Sequence, residues 1–363
     1  MQVYTRPRKK TRGKEDMNMK KFFSLLMAAM MMASVLAGCG GTEETPAEDT
    51  QTPAEDTQTP AEGEATGTGT ELKFSTGGDQ GTYYGFGSVL AQAITSSGTG
   101  TKVTAVTSNG SQDNIEQMDM NTRQLGFVQS DVMSYAYDGT NLFAETGKVD
   151  TFSVAAALYM EQVQIVTTNP DIKSVADLKG KSVSIGAAGS GVYYNAIDIL
   201  GAYGLKESDI NATYQSFGDS ADALKDGKID AAFVVAGAPT TAVTDLSTAK
   251  PVYLVSLDDE HIDQLLAESP YYSKYVIPAD TYGMDADATT VAVGAVVIVN
   301  DDVSEDAVYD FVSTIFENQD AITAQHAKGA ELDLDYAASM TSVPYHPGAA
   351  KYFAEKGFEV PTK

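Results

Sequence analysis

Two apolar runs dictate most of what this chain can become. Residues 154–167 and 291–299 are long, apolar and rich in β-branched side chains, and each reads as an extended strand. Around them, short apolar runs alternate with helical patterns, the rhythm of an α/β protein. Ahead of residue 154 the pattern predicts strands at 72–74, 102–106 and 125–128. Helices are predicted at 84–97 and 111–120 and from 131 to 137. In the first of these helices Phe86, Val89, Leu90, Ala93 and Ile94 share one face. After residue 167 a second set follows. It has a helical turn at 175–178, strands at 182–185, 212–216, 229–235 and 251–257, and helices at 190–203, 220–225 and 239–246. Gly204 stands where a helix C-cap belongs. Beyond 299 come an amphipathic helix at 304–317, with Val308, Phe311, Val312, Ile315 and Phe316 inward, and a last helix at 346–356. Two α/β sets joined by two long strands predict two lobes, one strand crossing out and the other crossing back. Such crossings are a common hinge device for closure around a ligand. The expected first lobe is 72–160 with 291–363, and the second is 161–290.

In open α/β sheets ligands bind beyond the carboxyl ends of the strands. The residues just after each predicted strand are therefore the candidates. After the first strand comes Ser75-Thr76-Gly77-Gly78-Asp79-Gln80-Gly81-Thr82-Tyr83-Tyr84, Gly-rich and opening a helix. Free N–H groups at a helix N-terminus favour an anion such as a carboxylate. Ser108 and Asn109 follow the second strand, and Gln129, Ser130 and Asp131 follow the third. In the second set the loops carry Gly189, Ser190 and Gly191, and then Ala236, Gly237 and Pro239. Five small or polar loops on two lobes are expected to face one cleft. Tyr83, Tyr84, Tyr159, Tyr193 and Tyr194 are candidates to close over a ligand. No string for a nucleophile elbow or a phosphate loop is present, and His261, His326 and His346 are scattered without ligand spacing. Catalysis is not expected, nor is a cofactor or metal; the histidines read as surface or capping residues.

The start of the chain reads differently. Lys20 and Lys21 precede an apolar run over 22–37, the form of a secretory leader, and the run ends in Leu36-Ala37-Gly38-Cys39. That string matches a bacterial lipobox, in which the cysteine accepts a diacylglyceryl group. Residues 1–38 are thus expected to be a signal peptide and Cys39 a lipidation site. From Thr45 a seven-residue repeat follows, Pro-rich, acidic and without large apolar residues. Such a segment cannot bury enough surface to offset chain entropy, so 39–71 is expected to be a disordered tether. The chain carries 24 Lys+Arg against 50 Asp+Glu. The whole acidic excess lies beyond the leader, which is itself net basic. That balance argues against nucleic acid and against docking on anionic lipid. Cys39 is the chain's one cysteine, so no internal disulfide is available.

Several strings together resemble a known family. They are Ser75-Thr76-Gly77-Gly78 with Gly81-Thr82-Tyr83-Tyr84, Phe127-Val128-Gln129-Ser130-Asp131, and Leu158-Tyr159 with Val163-Gln164-Ile165-Val166. Ile172-Lys173-Ser174-Val175-Ala176-Asp177-Leu178-Lys179-Gly180-Lys181 and the segment from Ala223 to Phe233 extend the match. They are similar to the TAXI solute-binding proteins of tripartite ATP-independent periplasmic (TRAP) transporters. The resemblance implies a two-lobed periplasmic-binding-protein fold of the second type. It also implies closure on a small organic anion or amino acid such as glutamate, and delivery to a TRAP membrane permease. One feature departs from other TRAP binding proteins, which often clamp a carboxylate with a buried arginine. Here the single arginine after the leader, Arg123, reads as lying at the exposed strand end opposite the cleft. Backbone N–H groups and hydroxyls would then hold the anion. Two alternatives share the fold: the binding protein of an ATP-driven ABC uptake system, and a sensor that presents its ligand to a receptor.

Overall fold

The computed structural model describes residues 70–141 and 143–363. The leader, Cys39 and nearly all of the expected tether lie outside the described residues. Ten strands form one hydrogen-bonded sheet. They are β1 (Glu71–Ser75), β2 (Lys102–Val106), β3 (Leu125–Gln129), β4 (Phe152–Thr167), β5 (Ser182–Ser184), β6 (Asn211–Thr213), β7 (Ala231–Ala236), β8 (Tyr253–Leu254), β9 (Ser273–Ile277) and β10 (Ala288–Asn300). The order is β2-β1-β3-β10-β4-β7-β5-β6, with β8 beside β4 and β9 beside β10.

The two long strands organise this order. At about 3.3 Å per residue, the sixteen residues of β4 span roughly 50 Å, enough to serve two lobes. Every residue of β4 but Met160 is buried. Its antiparallel pairing with β10 runs from Gln162↔Ala292 to Phe152↔Asn300, with register shifts at Ala295/Val296 and Val297/Ile298. The later half of β10 also pairs with β3, and the later half of β4 with β7. One sheet, β2-β1-β3-β10-β4, therefore belongs to the first lobe. A second, β6-β5-β7-β4, belongs to the second, and the crossing strands are shared. This is the two-lobed type II periplasmic-binding-protein arrangement.

Packing divides along the same line. One core contains Phe74, Phe86, Phe127, Val154, Tyr159, Ile298, Phe311 and Phe353, uniting the chain's beginning with its end. A second contains Val163, Ile165, Leu178, Val183, Ile199, Phe233 and Val291, and a third, smaller one lies against Val166 and Val234. The C-terminal helices Glu305–Glu317 and Pro347–Glu355 pack on the first lobe; His346 caps the latter by accepting from the Gly348 N–H. Buried Asn114 ties the loop ends together, donating to the carbonyls of Thr76 at 2.8 Å and Phe127 at 2.7 Å.

Several elements differ from expectation. The stretch 212–216 is a strand only over Asn211–Thr213, because Gln215 and Ser216 turn to open helix Phe217–Lys225. The run 251–257 pairs only at Tyr253–Leu254. Helix Asp259–Glu268 and strand β9 lie where no element was read. Arg123 is half-buried rather than exposed, its guanidinium donating to the Thr122 carbonyl at the start of β3. Among the described residues no helix is long and apolar enough to cross a membrane.

Candidate functional site

A cleft of about 580 Å³, open to solvent, lies at the carboxyl ends of the strands and is walled by both lobes. Four helices point their N-termini at it. From the first lobe come Thr82–Ser96, opened by Gly81, and Ser111–Asp119, opened by Gly110. From the second come Val192–Ala202, opened by Gly191, and Phe217–Lys225, opened by Ser216. All four opening residues line the cleft. The three glycines supply no side-chain cap, whereas Ser216 accepts from the Asp219 N–H. First-turn N–H groups of an uncapped helix have no partner within the helix, and the helix dipole makes that end positive.

The expected residues separate into those the cleft gathers and those that stand behind it. Gly77, Gly81, Thr82, Tyr83, Ser108, Asn109, Gln129, Ser190, Gly191 and Ala236 line it together. Thr76 is buried, its hydroxyl donating to the Val106 carbonyl at 2.8 Å. Tyr84 is half-buried on helix Thr82–Ser96, off the wall. Ser130 accepts from the Gly294 N–H at 3.0 Å, at the crossing of the long strands. Tyr159 is buried in the first core, edge-on to Phe86 and Phe127. Pro239 is exposed beyond the wall. Of the remaining tyrosines, Tyr193 donates to Glu207 and Tyr194 packs against Tyr135 across the lobes.

Three expected residues join the lobes instead of lining the space. The Gly189 carbonyl accepts from the Asp113 N–H at 3.0 Å, and the Gly237 carbonyl from the Thr82 hydroxyl at 2.8 Å. Asp131 belongs to a buried polar network. Gln129 donates to the Asn195 carbonyl oxygen at 3.0 Å. The Asn195 amide donates to Asp131 at 2.8 Å and to the Tyr272 hydroxyl at 2.9 Å. Tyr272 donates in turn to Asp198 at 2.9 Å. Burial raises the Asp131 carboxyl to about 6, against the pull of its hydrogen bonds from Val132 and Asn195.

The sequence reading missed Glu161, Val192, Gln215, Ser216, Phe217 and Val235 on the wall. Glu161 left a signal, as the one charged side chain in the apolar stretch of β4. It is 1% exposed, and its Oε2 accepts from the Tyr83 hydroxyl at 2.6 Å. Burial pushes its carboxyl well above the usual carboxylate range, and the charge of Asp131 adds to this. The Gln129 Oε1 and Ser190 Oγ atoms are buried without a hydrogen-bond partner among the described residues. Among the described residues no lysine, arginine or histidine lines the cleft.

Two tests follow from this geometry. A Cβ on Gly191 would stand 1.7 Å from Gln129 Oε1 and 2.9 Å from Ser111 Oγ, across the lobe boundary. Its φ of −69° suits any residue. Gly191→Ala should therefore leave each lobe folded but hold them apart, seen as a larger radius of gyration in small-angle scattering. An unchanged radius would show that the contact does not limit closure. For Asp131, the folded state keeps its proton up to about pH 6, while an unfolded aspartate loses it near about 3.9. The protonated form thus stabilises the fold fully below about pH 4, and that contribution is lost as pH rises through about 6. Two pKa units amount to about 3 kcal/mol. Between pH 4 and 7 Asp131→Asn should gain on the wild type by up to about 3 kcal/mol in urea unfolding, whatever its absolute stability. A stability gap that does not move with pH would refute the raised pKa.

The chain is similar to several solved structures. The alkanesulfonate-binding protein SsuA from Xanthomonas axonopodis pv. citri, bound to MOPS, is 14% identical, over 79% of this chain and 90% of that one, at a TM-score of 0.46. A putative L-cystine ABC transporter from Listeria monocytogenes is 16% identical, over 74% and 98%, at 0.45. The GluR0 ligand-binding core from Nostoc punctiforme, in complex with L-glutamate, is 16% identical, over 72% and 99%, at 0.43. Residues 74–357, which hold both lobes and the whole cleft wall, match the NMT1-like family, and the chain belongs to that family.

Proposed function

We propose that this protein is an extracytoplasmic binding protein that captures a small organic solute between its lobes and passes it to a membrane importer. The observation that carries the reading is the convergence of four helix N-termini, two from each lobe, on one cleft. Gln129 Oε1 and Ser190 Oγ wait there without partners. Such a wall grips an anionic head by backbone N–H groups and hydroxyls, with no cationic side chain needed. The reading is of binding without catalysis. It includes a lipid anchor through Cys39, supported by the lipobox string.

The motifs similar to TAXI proteins support a TRAP permease. The NMT1-like family match spans 74–357 and does not single out TRAP, and the descriptions of the similar structures that name an importer name an ABC one. An ATP-driven ABC system is therefore kept beside the TRAP reading and ahead of it. Uptake that needs ATP would sustain the ABC reading, and uptake driven by an ion gradient alone would sustain the TRAP reading.

A solute that binds only the folded state stabilises it by about 2.7 kcal/mol at a hundred times its Kd. A thermal-shift panel of amino acids, organic acids and sulfonates should include at least one member that raises Tm by several degrees. A panel with no shift at millimolar solute would sink the binding reading. Cys39→Ser should move the protein from the membrane fraction to the soluble one, and unchanged partition would remove the anchor.

A further inference from the structure

Resting on that binding reading, we infer that Glu161 selects the solute: the cleft takes a zwitterion, with its anionic head on the helix N-termini and a protonated nitrogen on the Glu161 carboxylate. The cleft wall is lopsided in charge. Among the described residues its only ionisable side chains are Tyr83 and Glu161, one of which is a carboxyl at the floor between the lobes. Tyr83 satisfies one oxygen of that carboxyl, and no hydrogen bond reaches Oε1 among the described residues. The neighbouring orphan, Gln129 Oε1, is also an acceptor. These two acceptor oxygens, of which Gln129 Oε1 is buried without a partner, suit a donor on the ligand, and a protonated nitrogen supplies up to three.

A cation of the protein itself is close but already engaged. Lys328, 4% exposed, pairs with Glu331 at 2.5 Å and lies over the Tyr159 ring at 5.4 Å. It lowers the Glu161 pKa, but burial and Asp131 outweigh it. Burial thus biases the Glu161 carboxyl toward its protonated form, in the company of Tyr83, Tyr159, Asp131 and Lys328. An arriving ammonium favours the ionised form, so the carboxyl proton leaves to solvent as the ion pair forms. A dianion has the opposite effect: its second carboxylate would meet Glu161 and hold the proton on it.

The test uses matched probes on the purified protein. L-Glutamine, L-ornithine and L-alanine carry the ammonium, and glutarate and succinate carry two carboxylates without it. Titration calorimetry in two buffers of different ionisation enthalpy reads both affinity and proton exchange. The expected result is binding of one or more ammonium-bearing probes at least tenfold tighter than either dianion, with net proton release near neutral pH. Glu161→Gln should weaken that binding at least tenfold and abolish the release. Tyr83→Phe, which leaves the carboxyl in place, should keep the release. A dianion binding as tightly, net proton uptake, or Glu161→Gln binding as tightly as the wild type would each overturn the inference while leaving the binding reading intact. Absence of binding by the whole wider panel would instead remove the binding reading and this inference with it.

Discussion

The antiparallel pairing of β4 with β10 is the constraint on which the rest depends. Both strands run unbroken from one lobe to the other, and nearly every side chain on them is buried. Their backbone groups are bonded to each other and to β3 or β7 on the outer flank. Neither strand can slip, since a one-residue shift would turn its whole buried set to the opposite face. The lobes are thereby fixed in facing orientation, with the carboxyl ends of their parallel strands opposed across a gap. The cleft follows from that opposition and needs no dedicated element of its own.

What the gap offers a solute is a wall of dipoles in place of a wall of charges. On a chain with 50 acidic side chains, a cationic clamp would be the obvious way to draw in an anion, and the lining contains none. Oriented N–H groups at four helix ends attract negative charge while adding no counter-ion that an empty cleft must hydrate. Gly81, Gly110 and Gly191 matter here for what they lack. A capping side chain would consume an N–H and a Cβ would occupy the gap, most severely at Gly191. The buried exchange among Gln129, Asn195, Asp131, Tyr272 and Asp198 adds a polar seam between the lobes beside the cleft.

Much of this was written plainly in the residues. The two long apolar runs announced the lobes and their crossing, because only a doubly covered strand tolerates so little polarity. Gly-rich stretches between strand and helix patterns marked the loops, and ten of the eighteen proposed site residues meet at the cleft. The other eight lie off the cleft wall. Thr76, Ser130 and Asp131 sit at the correct strand ends with side chains turned to the protein interior. Sequence spacing does not reveal that turn, since one residue along a strand changes the face. Glu161 went unread for the opposite reason: it lies within a strand, away from the loops that the topological rule recommends. Helix Asp259–Glu268 and β9 were lost because 258–290 is dense in charged and turn-forming residues, and packing overrides local preference there.

The first lobe's core draws on residues near both ends of the described chain, with Leu72 and Phe74 packed among Phe311, Tyr345 and Phe353. The second lobe is a single uninterrupted stretch. For a chain made from one end to the other, this sets an order of assembly. The strands β1 to β3 emerge first, yet the strand that completes their sheet beside β3, β10, begins about 160 residues beyond it. The early half must stay unfinished, its β3 edge bare, while the later half can already close upon itself. A bare, apolar edge held open that long invites pairing with other chains. The β3 edge of newly made protein thus stays open to such pairing until β10 arrives.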